Sequence, residues 1–546
     1  MPRLSVVTAA VALALVLPAA AEAARFVVGL VPGADEAAVR LEVEQRTGTP
    51  VESLGPLRAL VVDARGGRTL AGITGVRYVE RLAERRLAFM PNDPFVTRQW
   101  YLLQNRAYDA WDVLPADLAP VLVAVIDSGV DADHPELKRK IVDAQSFVGG
   151  SARVDTQGHG TFVSGLIAAE IDNQTGIAGL APSAQLLVAK VVTPQRTIPV
   201  EAEAKAIRWA VAQGARVINM SLGGLRDPLD PSRDTYSQLE ADAISYAITK
   251  GVIVVAAVGN ADQAPEQPWR YASYPAALPH VLGVSAVAKD GSAPPFSNRD
   301  AVFNDIAAPG QEIISTFPRA LTAQRTSCLE QGYSPCGSEE YRAAEGTSFA
   351  APQVSAAAAT LLATQPALGP EQVTTLLQRT AVDANAANGC QRCPLGRDAL
   401  TGWGRVDVAA ALGALAGPLP ARDRYEANDD AGTNAYTLWG SKRRVEATLD
   451  YWDDQNDVYR LYLRKGQALY GSLVGPKGTD TTLALWEPET LEVDDLARQD
   501  LRVRLSSRPG PDEHLAYRAP RSGFHYLHVK LTSQGAGPYR LSVVKK

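Results

Sequence analysis

Val121-Leu122-Val123-Ala124-Val125-Ile126-Asp127-Ser128-Gly129, or VLVAVIDSG, is the stretch that decides the fold. Six apolar residues in a row, stopped by Asp-Ser-Gly, read as a short strand buried on both faces. Further runs of this kind occur at 185–192 (QLLVAKVV), 216–220 (RVINM), 252–258 (VIVVAAV) and 281–287 (VLGVSAV), with helical periodicity at 200–212 and 238–249. Strand and helix in alternation predict an α/β fold, a parallel sheet with helices on both faces. Functional residues in such sheets stand beyond the carboxyl ends of the strands. Asp127 is the first residue in that position.

Working outward, the chain has 546 residues, 46% hydrophobic and 21% charged, which is a packed chain of several domains. Its net charge of −6 asks for no nucleic-acid partner. At the N-terminus Arg3, the apolar stretch Val6 to Leu17 and Ala21-Glu22-Ala23 read as a signal peptide over 1–23, so the protein is expected to be secreted, extracellular or periplasmic. No later segment is long and apolar enough to span a membrane. Export favours disulfides among the four cysteines, and two local bridges, Cys328 with Cys336 and Cys390 with Cys393, are the simplest pairing. A four-cysteine zinc site is the rival. Strands at 25–30, 58–63 and 77–81 with a helix at 35–46 make a small α+β unit before the turn-rich Pro91-Asn92-Asp93-Pro94. Past a Gly417-Pro418-Leu419-Pro420 linker, residues 422–546 alternate as in an antiparallel β-sandwich.

Three more chemically usable residues join Asp127: His159 in Gly158-His159-Gly160-Thr161, ahead of a helix; Asn260 in Val258-Gly259-Asn260, at a strand end; and Ser348 in Glu345-Gly346-Thr347-Ser348-Phe349-Ala350-Ala351-Pro352. Singly, each has a plain reading as a cap, a surface residue or a turn. Together, in this order, they resemble the subtilisin-like serine proteases over about residues 92–417. The resemblance implies that Ser348 is a nucleophile, His159 its general base, Asp127 the group orienting that base, and Asn260 an oxyanion donor alongside the Ser348 N–H. It also implies a substrate-binding strand at Ser221, Leu222, Gly223 and Gly224, a pocket wall including Gly259, and an uncharged pocket floor at Ser273. Phe162 and Phe349 depart from the family, which commonly has His and Met there.

The same resemblance makes residues 24–90 an inhibitory propeptide, 91–417 the catalytic domain and 422–546 a C-terminal domain of the kind that follows many secreted bacterial peptidases. It further implies a structural Ca²⁺ held by Asp93, Glu136, Glu170, Asn173, Thr175 and Ile177. A self-processing monomeric endopeptidase acting on proteins or peptides, with its own propeptide as inhibitor, is the expected function. The alternative is a non-catalytic binding protein on the same scaffold.

Overall fold

The structure is a computed structural model that describes residues 24–82, 89–115, 117–261, 264–322, 333–334, 340–419, 424–425, 428–432, 435–452, 454–491, 493 and 498–546. The predicted signal peptide and the cysteines Cys328 and Cys336 lie outside these residues. The chain forms two compact units, residues 1–87 and 88–546.

In the first unit the strand Ala24–Leu30 pairs antiparallel with Ala59–Ala64 on one side and Val76–Arg81 on the other. Val51–Ser53 adds a short fourth strand that the sequence reading lacks. The helix Glu36–Thr47 starts where Asp35 accepts the N–H groups of Ala37 and Ala38. It buries Val39 and Val43 against Phe26, Val28, Leu60 and Val62.

The second unit is built on a seven-stranded, wholly parallel sheet. Its strands are β1 (Val121–Asp127), β2 (Ile141–Ser146), β3 (Ala184–Lys190), β4 (Val217–Met220), β5 (Ile253–Ala257), β6 (Val281–Val287) and β7 (Ile306–Pro309), in the order β7-β6-β5-β4-β1-β3-β2. Alternation along β1 sends Val121, Val123 and Val125 to one face and Ala124 and Ile126 to the other. The first face packs helices α1 (His159–Ala168) and α4 (Thr347–Thr364); the second packs α2 (Val200–Ala212) and α3 (Gln238–Thr249). The sequence placed α2 and α3 to the residue and missed β2 and β7.

Helix α4 is the buried axle of this unit, lined with alanines that let it lie close to the strands. Pro352 within it has no N–H to give the carbonyl four residues back, which is that of Ser348. The Ser221 hydroxyl supplies the missing bond, donating to Ser348 O at 2.7 Å.

Residues beyond the linker form a β-sandwich of a five-stranded and a four-stranded sheet. Pairing is antiparallel except where Tyr436–Thr437 runs parallel to Asn456–Leu463. The sandwich meets the α/β body through an Arg379–Asp450 ion pair, the Arg379 guanidinium 4.6 Å from the Trp452 ring, and Trp403 against Tyr451 at 5.6 Å. Asp429, Asp454 and Asp457 gather in the sandwich, with His280 Nε2 3.0 Å from Asp429. A bridge joins Cys390 and Cys393, one of the two expected.

Candidate active site

Asp127 closes β1, Ser221 follows β4 and Asn260 lies just past β5, all at the carboxyl edge of the sheet, as a parallel sheet requires of its functional residues. His159 opens α1 and Ser348 stands in the first turn of α4. Gly160 lets α1 come down onto β1: a Cβ there would stand 2.2 Å from the Gly129 carbonyl oxygen.

That closeness brings His159 Nδ1 within 2.9 Å of both Asp127 oxygens. The carboxylate is buried and the imidazole half-buried. Burial disfavours the imidazolium, but the Asp127 charge and hydrogen bond, with Asp155 behind them, outweigh it and raise the His159 pKa above its ordinary value. Phe349, the residue after Ser348, packs its ring 5.5 Å from the imidazole and 4.4 Å from Phe162. The two departures from the family pattern are therefore one packed pair. The Ser348 hydroxyl donates to the Ser221 carbonyl at 3.1 Å, and its N–H lies in the helix's first turn, where no intrahelical acceptor exists.

Asn260 is oriented by its neighbours. Its Oδ1 accepts from the Thr347 N–H at 2.8 Å and the Thr347 hydroxyl at 2.9 Å, and the Thr347 Oγ1 in turn accepts the Gly259 N–H at 3.2 Å. With the oxygen so engaged, the amide NH₂ is the free end of the side chain.

Asn260 and Ser348 line one cavity of about 130 Å³ with Leu222, Gly223, Gly224, Gly259 and Ser273. Gly259 sits at φ +99°, and a Cβ on it would meet the Ser273 hydroxyl at 2.3 Å. The floor is uncharged: Asn298 Nδ2 donates to Ser273 Oγ at 3.2 Å. Asn298 and Thr347 were missed from sequence because only the fold brings them here. Within the expected peptide-pairing strand the Gly224 backbone is already engaged, exchanging both bonds with Tyr274 at 2.9 Å, while the Ser221 hydroxyl is held by the Ser348 carbonyl.

The expected calcium residues also converge. Asp93 accepts the N–H groups of Asp172 (2.9 Å) and Asn173 (3.1 Å), while Glu136 accepts the Ile177 N–H (2.9 Å) and the Asn173 amide (2.9 Å). Both carboxylates are buried, and burial, with Asp93 adding its charge, pushes the Glu136 pKa up to about 7. Two buried carboxylates sharing one loop, with no cationic side chain among the described residues bonded to either, supply oxygen ligands of the kind a hard cation takes. The Asn173 oxygen accepts from Thr175 N–H at 2.7 Å and keeps its second lone pair. The Glu170 carboxylate pairs with Arg139, leaving its main-chain carbonyl as the oxygen it would give. His134, fully buried, has its pKa lowered to about 4 by desolvation and is a packing residue.

A family model described as the subtilase family matches residues 119–404, more than half of the chain. The chain belongs to the subtilase family. It is 36% identical to thermitase of Thermoactinomyces vulgaris over 280 residues, covering 51% of this chain and 86% of that one. It is 35% identical to subtilisin DY of Bacillus licheniformis over 294 residues (54% and 91%). With fervidolysin of Fervidobacterium pennivorans it shares 30% over 394 residues (68% and 52%). This subtilase is accordingly a serine endopeptidase, and the reading as a non-catalytic scaffold is set aside. Among the described residues no helix is long and apolar enough to cross a membrane.

Proposed function

We propose that this subtilase hydrolyses peptide bonds through an acyl-enzyme on Ser348. His159 takes the serine proton and returns it to the leaving amine, and Asp127 orients the imidazole and stabilises its cation. The oxyanion is received by the Asn260 amide and the Ser348 N–H, where the dipole of α4 also favours negative charge. One observation carries this reading: both Asp127 oxygens hold His159 Nδ1 at 2.9 Å, beside the residue next to Ser348. For the proton to pass, the Ser348 hydroxyl leaves the Ser221 carbonyl and turns to His159.

The substrate enters as an extended chain along Leu222 and Gly223, with one side chain in the cavity over Ser273. The uncharged floor favours apolar or broad acceptance. Residues 1–23 export the chain, 24–90 inhibit and then leave it, and the mature protein is a monomer. A calcium ion on Asp93, Glu136 and Asn173, with carbonyls of Glu170, Thr175 and Ile177, would offset the two buried carboxylates and brace the loop after α1. The full-length Ser348→Ala chain tests the scheme. It should neither cut a peptide library nor shorten itself, and self-shortening of that pure variant would contradict the assignment.

A further inference from the structure

Asp155 has no place in the triad, yet its buried carboxylate receives more bonds than any group in it. Oδ1 accepts the Ser128 hydroxyl at 2.9 Å and the N–H groups of Gln157 at 3.0 Å and Gly158 at 2.8 Å. Oδ2 accepts the N–H of Thr161 at 2.9 Å and its hydroxyl at 2.7 Å. The Ser128 Oγ closes the circuit by accepting the Gly160 N–H at 2.9 Å. Ser128 directly follows Asp127, while Gly158, Gly160 and Thr161 surround His159.

We propose that Asp155 is a positioning residue for the Asp127–His159 pair, a single carboxylate that ties the end of β1 to the first turn of α1. The inference rests on the triad reading given above. Helix α1 needs such a group, because the first N–H groups of any helix lack partners and the cap residue, Gly158, has no side chain to offer. Asp155 caps it from one turn upstream. Its bonds are charge-assisted and reach both elements at once, so the first turn of α1, which carries His159, cannot shift against the end of β1 without breaking several of them. Its charge also favours the imidazolium, second to that of Asp127. The other charges nearby are engaged elsewhere: Lys190 donates to the Val154 carbonyl at 3.1 Å, and Asp131, whose N–H donates to Thr161 Oγ1, is paired with Arg319 at 3.0 Å.

Asp155→Asn separates position from fold, since the amide keeps the size and one acceptor but cannot receive the Thr161 bonds with its NH₂. Assayed as the full chain on a fluorogenic peptide, it should lose about tenfold to a hundredfold in kcat, with KM within about twofold, the scale of a misplaced catalytic group. The acidic limb of its kcat/KM profile should move to lower pH. Ser128→Ala, which deletes only the bridge, should lose kcat in the same direction but less. If the wild-type chain cleaves and takes a fluorophosphonate label while Asp155→Asn matches it in kcat and in pH profile, the positioning role is overturned and the triad stands. A lowered melting temperature with unaltered kinetics in both variants also overturns it. Failure of the wild type to label points instead to the triad reading.

Discussion

Thr347→Val tests how the Asn260 amide comes to face the cleft. The substitution keeps the shape of the side chain and removes its hydroxyl, which holds Asn260 Oδ1 at 2.9 Å and receives the Gly259 N–H at 3.2 Å. The Thr347 N–H still donates to the same oxygen at 2.8 Å, so orientation is weakened rather than lost. One hydrogen bond is worth about 0.5–1.5 kcal/mol net, and at about 1.4 kcal/mol per decade this predicts about a two- to tenfold loss of kcat. Asn260→Ala removes the donor itself and should cost about 10² to 10³ in kcat, a magnitude established in this enzyme family rather than calculated from these distances. Both losses should appear in kcat with KM nearly constant, because the amide acts on the developing oxyanion. Steady-state kinetics on one fluorogenic peptide measures all three enzymes. A Thr347→Val enzyme whose KM rises while kcat holds would refute the reasoning, as would an Asn260→Ala enzyme with wild-type kcat.

Other consequences are equally direct. The raised His159 pKa means that the base stays protonated to a higher pH, so the acidic limb of kcat/KM should lie above the ordinary histidine value of about 6.5, and Asp127→Asn should move it down. The same shift makes His159 stabilise the fold fully below its unfolded pKa and lose that contribution as pH rises through the folded one, which urea titrations of Ser348→Ala across that window should register. Phe162 and Phe349 should be coupled by about 0.5–1.5 kcal/mol in a double-mutant cycle to leucine on the Ser348→Ala background, and additivity would deny the pairing. Chelation should lower the melting temperature, by the equivalent of about 2.7 kcal/mol when calcium had been at a hundredfold its Kd, and Asp93→Ala should abolish the response. A melting curve indifferent to chelator would remove the ion from the account.

The parts of this fold that were legible in the sequence are those whose apolar pattern runs long enough to show a period. Val281–Val287 is buried along its whole length, and its apolar run marks both ends. Ile141–Ser146 is an edge strand with half-exposed polar residues, and Ile306–Pro309, though buried throughout, is only four residues long and ends in proline, too short to read as a strand. Helices α2 and α3 carry one apolar face each and were placed to the residue. At the site, the residues proposed to do the chemistry sit in short motifs, and the structure pairs Asp127 with His159 and sets Asn260 and Ser348 in one cavity. Those that hold them were not legible: Thr347 is a turn residue until Asn260 is beside it, and Asn298 lies in a loop that only the sheet brings under Ser273. Asp155 did leave a trace, an acidic residue just ahead of a helix start, the pattern of a cap.

The central claim is that Ser348 is the activated nucleophile, and covalent labelling tests it most directly. A fluorophosphonate probe reacts with a serine whose proton a neighbouring base removes. Digestion of the labelled protein followed by mass spectrometry should find the adduct on the peptide containing Glu345 to Pro352, at Ser348, with labelling lost in Ser348→Ala and slowed in Asp127→Asn. An adduct on any other serine, or undiminished labelling of Ser348→Ala, would contradict the account.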